Sequence, residues 1–181
     1  YAASVNGGKI HAATSEGSWS ESTLSPVTGW TTVTRNDYNA YLACASIGRV
    51  WSSTDGLTWT KEGTPKENYV DCALQNTSLN PKKYAIGATT GIWCLSTDGW
   101  KNNKTEALYK SWVAISSSQN GDQYVAAEPT DGIWTSVDGY NWVLNTVPSG
   151  DTVWRKLAVS PQGDVMYGIL QSGGFIYQAY T

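Results

Sequence analysis

What most constrains this chain is an internal repeat. A Tyr followed by small or aliphatic residues opens five registers, at Tyr1, Tyr41, Tyr84, Tyr124 and Tyr167, so the period alternates between 40 and 43 residues. Nine residues after each Tyr, and eight after Tyr84, stands an aliphatic: Ile10, Val50, Ile92, Ile133 or Ile176. The residue after that is His11, Trp51, Trp93, Trp134 or Tyr177. A further Trp follows at Trp19, Trp59, Trp100 and Trp142, and an aromatic precedes the Tyr at Trp30, Tyr69, Trp112 and Trp154. A fixed period over the whole length means one supersecondary unit used again and again, each burying its apolar faces against its neighbours. The repeats run roughly 1–29, 30–68, 69–111, 112–153 and 154–181, within a single domain of 181 residues.

Each repeat reads as four short strands. In the clearest one, Val113–Ser116 alternates, Asn120-Gly121 turns, Gln123–Ala127 is extended, Asp131-Gly132 turns, Ile133–Ser136 is extended, Asp138-Gly139 turns, and Trp142–Leu144 ends the unit. Asn-Gly and Asp-Gly mark hairpins because Gly accepts a positive φ. No stretch holds a 3.6-residue period for three turns. The expectation is therefore all-β. A unit of this length with four antiparallel strands is one blade of a β-propeller, and its large flat side chains fill the wedges between blades. The first repeat opens at its second strand and the last closes after its third, which gives 18 readable strands where five full blades need 20. We expect about five four-stranded blades, with an incomplete seam blade shared by the two termini.

Composition removes several classes. Charged residues make up 15%, the net charge is −3 and Lys and Arg are scattered, so nothing tracks a phosphate backbone and no nucleic-acid partner is expected. No apolar run reaches the length of a membrane-spanning helix, so no membrane insertion is expected. The chain opens on Tyr1 with no leader-like segment, as a processed or partial chain would. Three cysteines, Cys44, Cys72 and Cys94, sit in no CxxC and read as small buried hydrophobes. The single His11 leaves no multi-His metal site, and no cofactor is implied. Sequons at Asn76 and Asn103 are about as many as chance gives and decide nothing, while low charge, Ser/Thr-rich faces and a missing initial Met lean toward a secreted protein.

The third-to-fourth-strand turn carries a motif, Ser53-Thr-Asp55-Gly56-Leu-Thr-Trp59 and Ser136-Val-Asp138-Gly139-Tyr-Asn-Trp142. It resembles the Asp-box, the repeat of bacterial neuraminidases and many other β-propellers, although it is one residue shorter between Asp and Trp. Ser96-Thr-Asp98-Gly99-Trp100 is shorter again, and Ala13–Trp19 keeps the Gly and the Trp. The likeness implies the fold and says nothing of chemistry. Physically, Asp accepts amides of its own turn, Gly supplies the positive φ and Trp packs inward, so these residues read as structural.

Catalysis is not expected. A sialidase-like site, as the resemblance would imply, needs three converging Arg. The chain has Arg35, Arg49 and Arg155, the first on the face opposite the other two. A glycosidase needs two facing carboxyls, and Asp71 is the one found in an innermost strand. The expected function is instead multivalent, non-catalytic carbohydrate binding, as in a lectin, with glycans or glycoproteins as partners and a homo-oligomer left open. Such binding belongs on the face with the second-to-third-strand turns and the fourth-to-first-strand connections. There, indole faces can stack on sugar C–H groups while short polar turns meet the hydroxyls. The candidate ligand-binding residues are Trp51, Trp93, Trp134, Tyr177, Trp112, Trp154, Arg49, Glu128 and Asp131. The competing role for the aromatics is filling the wedge between blades. The competing functions are a protein-interaction scaffold and a part of a larger sialidase-like glycoside hydrolase.

Overall fold

Alternating apolar residues bounded by Gly turns give 18 strands and, among the described residues, no helix. The computed structural model describes residues 2–4, 8–13, 17–23, 29–75, 83–87, 91–96, 99–102, 110–129, 132–145, 153–171 and 176–180. Five antiparallel sheets follow one another along the chain. The first holds β1 (Ala2–Ser4), β2 (Ile10–Ala13) and β3 (Trp19–Glu21). The second holds β4 (Trp30–Arg35), β5 (Tyr41–Ala45), β6 (Val50–Ser53) and β7 (Thr60–Lys61). The third holds β8 (Tyr69–Leu74), β9 (Lys83–Gly87), β10 (Gly91–Ser96) and β11 (Gly99–Asn102). The fourth holds β12 (Ala114–Ser117), β13 (Tyr124–Glu128), β14 (Gly132–Ser136) and β15 (Val143–Asn145), and the fifth β16 (Trp154–Val159), β17 (Val165–Leu170) and β18 (Ile176–Tyr180). In every sheet the strands lie in chain order, so each hairpin folds locally.

The sheets pack face to face in sequence. The strands β4, β8, β12 and β16 lie side by side at the inner edge, and β5 and β13 each back onto the first strand of the following sheet. The two-residue period of a strand explains why the repeat pairs an aliphatic with an aromatic. In β5, Tyr41, Ala43 and Ala45 join the core against the first sheet, while Leu42 and Cys44 join the core against the third. In β6, Val50 joins the following seam and Trp51 packs on the preceding one. One dipeptide thus serves two seams. Each buried aliphatic or aromatic side chain contributes about 1.5–3 kcal/mol by leaving water.

The first and fifth sheets are each three-stranded among the described residues, each with its own ladder. The repeated Tyr is not equivalent throughout. Tyr41 and Tyr124 pair with the last residues of β4 and β12, Arg35 and Ser117. Tyr84 instead pairs with Ala73, and Tyr167 with Ala158, one place further back along those inner strands. A one-residue shift moves a side chain to the other face. The sequence spacing from Tyr84 to Ile92, one short, was the trace of this shift.

Candidate functional site

At one end of the array, here the upper end, lie the β5–β6 turn and the β7–β8 connection. Six of the nine candidate positions are packed into the interior or stand against it there. Trp112 is fully buried in the seam between third and fourth sheets, edge-on to Trp134 at 6.2 Å between ring centres. Trp154 is buried in the next seam, edge-on to Tyr177 at 5.6 Å. Tyr177 is itself half-buried, and Trp51 is half-buried against the core of Ile10, Trp30 and Tyr41. Glu128 is buried at the end of β13, opposite Gly132. Asp131 lies outside the described residues.

The remaining two, Arg49 and Trp93, come to the seam between the second and third sheets. There two half-buried indoles, Trp93 and Trp100, pack against the core of Leu42, Val50 and Tyr69. The indole N–H of Trp93 donates to Oε2 of Glu67 at 3.1 Å, and that of Trp100 to Oε2 of Glu62 at 3.3 Å. Both carboxylates come from the β7–β8 connection. That segment is pinned at three points: Glu62 N–H donates to the Val50 carbonyl at 2.9 Å, Gly48 N–H to the Glu67 carbonyl at 3.1 Å, and Arg49 Nη1 to the Thr64 carbonyl at 2.6 Å. Thr64, fully buried, accepts from Val50 N–H at 3.3 Å, and Tyr69 donates its hydroxyl to the Pro65 carbonyl at 3.0 Å. Burial pushes the Tyr69 hydroxyl far up, with the Glu67 charge adding to the rise and Arg49 opposing it. The seam therefore presents aromatic rings, two carboxylates and a guanidinium on a fixed loop. Sequence reasoning weighed the aromatics of such connections and passed over Glu62 and Glu67. Two Lys-Glu pairs, Lys61-Glu62 and Lys66-Glu67, in a short connection before a strand entry of a charge-poor chain were the available signal.

A second polar feature lies on the inner edge. A cavity of about 300 Å³ is bounded by β4, β8, β12 and β16, with Thr34, Arg35, Asn36, Ser116 and Gln119 around it. It reaches the strand ends opposite the upper end, where the β4–β5 turn places Asn36 and Asp37. Deep in it, Asp71 is buried and fully engaged. Its Oδ1 accepts from Cys72 N–H at 3.0 Å, and its Oδ2 accepts from Ile115 N–H at 3.2 Å and meets Lys156 Nζ at 3.2 Å. Ala114 holds the same register position on β12, between those strands, so the lysine passes a methyl group rather than a larger side chain. Arg35 sits at the far end of β4, hydrogen-bonded to Asn39 and over the Tyr41 ring, while Arg49 is at the upper end.

The Ser-x-Asp-Gly turns are structural. Leu57 and Thr58 N–H both donate to Asp55 Oδ1 at 2.7 Å, Ser53 Oγ accepts from Gly56 N–H at 2.8 Å, and Trp59 Nε1 donates to the Gly56 carbonyl at 2.9 Å. The Asp138 turn repeats every one of these bonds, from Tyr140, Asn141, Gly139 and Trp142. Gly56 has φ 76°, and a Cβ there would sit 2.8 Å from the Ala12 methyl. Asp98 and the start of the copy near Ala13 lie outside the described residues.

No family model and no curated protein matches the chain in sequence. Solved structures do. A structure of the nidogen/laminin complex superposes with TM-score 0.76 at 11% identity, over 97% of this chain and 72% of that one. The Swd1 β-propeller domain of Myceliophteria thermophila superposes with TM-score 0.72 at 11% identity, over 99% of this chain and 66% of that one. The fold is a β-propeller. Streptogramin B lyase, at TM-score 0.68 and 15% identity, matches 91% of this chain and 56% of its own. This chain covers 46% of the hydrazine synthase chain of Kuenenia stuttgartiensis and 28% of the GH74 enzyme of Niastella koreensis. It thus spans about half or less of those three chains. At these identities the likeness carries the propeller and no activity.

Proposed function

We propose that this propeller is a non-catalytic carbohydrate-binding module, taking a sugar at the upper end of the seam between its second and third sheets. The observation that carries the reading is Trp93, half-buried with its indole N–H held by Glu67 and Arg49 on the adjoining turn. A pyranose presents a C–H face to an indole and hydroxyls to the groups around it, and such sites combine apolar walls with a few placed polar groups. Glu67 fixes the plane of the ring. Glu62 and Arg49 stand within the same connection and turn as acceptor and donor. Asp71, held by two amides and Lys156, serves the propeller's inner edge rather than acid–base chemistry.

A glycan array probed with the purified chain tests the reading. Binding to one terminal sugar, competed by the free monosaccharide and lost in Trp93→Ala, supports it. A blank array, or binding that Trp93→Ala leaves intact, overturns it.

A further inference from the structure

We propose that Cys44 and Cys72 close a disulfide across the seam between the second and third sheets when the chain folds in an oxidising compartment, and that the closed seam then shelters the bond. All three cysteines are thiols in this structure. Cys44 lies on β5 and Cys72 on β8, in one buried core with Leu42, Val50 and Tyr69. Their side chains reach across the seam in both directions. The Cys44 thiol donates to the Asp71 carbonyl at 3.8 Å, and the Cys72 thiol to the Leu42 carbonyl at 3.7 Å. Asp71 adjoins Cys72, and Leu42 shares a face of β5 with Cys44, so each sulfur has crossed to its partner's strand. The two thiols are also hydrogen-bonded to each other. Beside them the Thr31 hydroxyl bridges the Cys44 and Tyr69 carbonyls, 3.1 Å from each, which fixes the spacing of β5 and β8 here. A disulfide needs side chains that face each other over a short gap, and two touching thiols on tied strands meet that need.

The pairing is selective. Cys94 is equally buried, but it belongs to the core between the third and fourth sheets, where its thiol meets the Tyr140 hydroxyl at 3.6 Å. The third sheet therefore stands between Cys94 and the other two. An odd number of cysteines sorts into one bridge and one thiol.

The oxidant is a small-molecule disulfide of the glutathione class. One protein thiolate attacks a sulfur of oxidised glutathione, whose S–S bond breaks as a mixed disulfide forms. The second protein thiolate attacks the protein sulfur of that mixed disulfide and displaces the other glutathione. Two protein thiols are oxidised, one glutathione disulfide is reduced, and the two thiol protons end on the two glutathiones released. Timing follows from burial. Attack needs a thiolate, and burial, together with the neighbouring Cys44 thiol, pushes the Cys72 thiol well up in the folded chain. Exchange therefore belongs to folding, before the seam closes. The ring closed by the bond contains Arg49, Glu62 and Glu67, so it ties down the turn and connection at the upper end whatever they bind.

Refolding of the intact chain from urea tests this, once in a glutathione redox buffer and once in dithiothreitol, followed by alkylation under denaturing conditions and mass spectrometry. The chain from the redox buffer should take one alkyl group, on Cys94, and yield a linked Cys44–Cys72 peptide pair, and the chain from dithiothreitol should take three. The linked chain should have the higher urea midpoint and lose the gain on reduction. Folded, reduced chain held in the same redox buffer should still take three. Cys72→Ala should take two and give no link, whereas Cys94→Ala should take none and keep the link. If Cys72→Ala misfolds, Cys44→Ala gives the same readout, and if the chain does not refold, its secretion into an oxidising compartment replaces that step. Three alkyl groups on chain folded under oxidising conditions, a link that involves Cys94, or a folded, reduced chain that oxidises as fast as a refolding one would each overturn the proposal.

Discussion

The seam between the third and fourth sheets and the seam between the second and third are built on one template and end up different. In the former, Trp134 and Trp142 are buried against Trp112, Tyr124 and Ile115, and Lys110 lies over the Trp134 ring at 5.5 Å. The Trp134 N–H is buried without an acceptor among the described residues. In the latter, Trp93 and Trp100 occupy the same strand positions but stay half-buried, and each N–H ends on a carboxylate. The rings are alike, and what differs is the partner that reaches them. A carboxylate needs water or a donor, so Glu62 and Glu67 hold their indoles toward the surface, whereas a seam that brings no carboxylate to the ring packs it inward and leaves its N–H unmet. The repeat makes the wedge, and the connection decides whether the wedge is core or site.

Breaking the buried seam should have the largest effect. Trp134→Ala removes a buried side chain that packs edge-on against Trp112, and should lower the unfolding free energy by about 3–5 kcal/mol, read from urea unfolding. Sugar binding by the folded fraction should survive. A change near Trp93→Ala in size would show that the two seams are energetically alike. Trp93→Ala should cost about 1–2 kcal/mol, because the ring is only half-removed from water, and should abolish binding. Smaller than either is Glu67→Gln, which keeps an oxygen for the indole N–H but removes the charge. Thermal stability should shift by about 1 kcal/mol or less, and affinity measured by calorimetry should fall without vanishing. Full retention of affinity would restrict Glu67 to orienting the ring.

Much of this was legible. The period, the strand count and the placement of Ile10, Val50 and Ile92 as core follow from spacing alone, since a strand's two faces alternate whatever surrounds them. The turns at Asp55 and Asp138 were legible too, because their hydrogen bonds are local. The pairing register of Tyr84 and Tyr167 was not, since a one-residue shift is set by the pairing partner and not by the residue. Trp112, Trp134 and Trp154 could not be told from surface aromatics, because burial depends on the neighbouring sheet. The Asp71–Lys156 pair spans 85 residues of sequence and arises where inner strands meet, so no motif announces it.

The smallest expected effect separates the local turns from both seams. Asp55 and Asp138 are held well below the usual carboxylate range, each at about 2. For Asp55 the Thr58 amide is the chief cause, joined by the Leu57 amide and the Ser53 hydroxyl. For Asp138 burial pushes upward, and the Asn141 and Tyr140 amides outweigh it. A carboxyl whose folded pKa lies below its unfolded value, about 3.9, stabilises the fold above that value. The contribution is lost as pH falls through the folded pKa. Stability should therefore decline between about pH 4 and pH 2. Both groups are largely solvent-exposed, so screening keeps the effect small. Asp138→Asn should flatten that decline in a pH series of urea midpoints while leaving the midpoint slope unchanged. If the decline is as steep in Asp138→Asn as in the parent, the acid sensitivity belongs elsewhere.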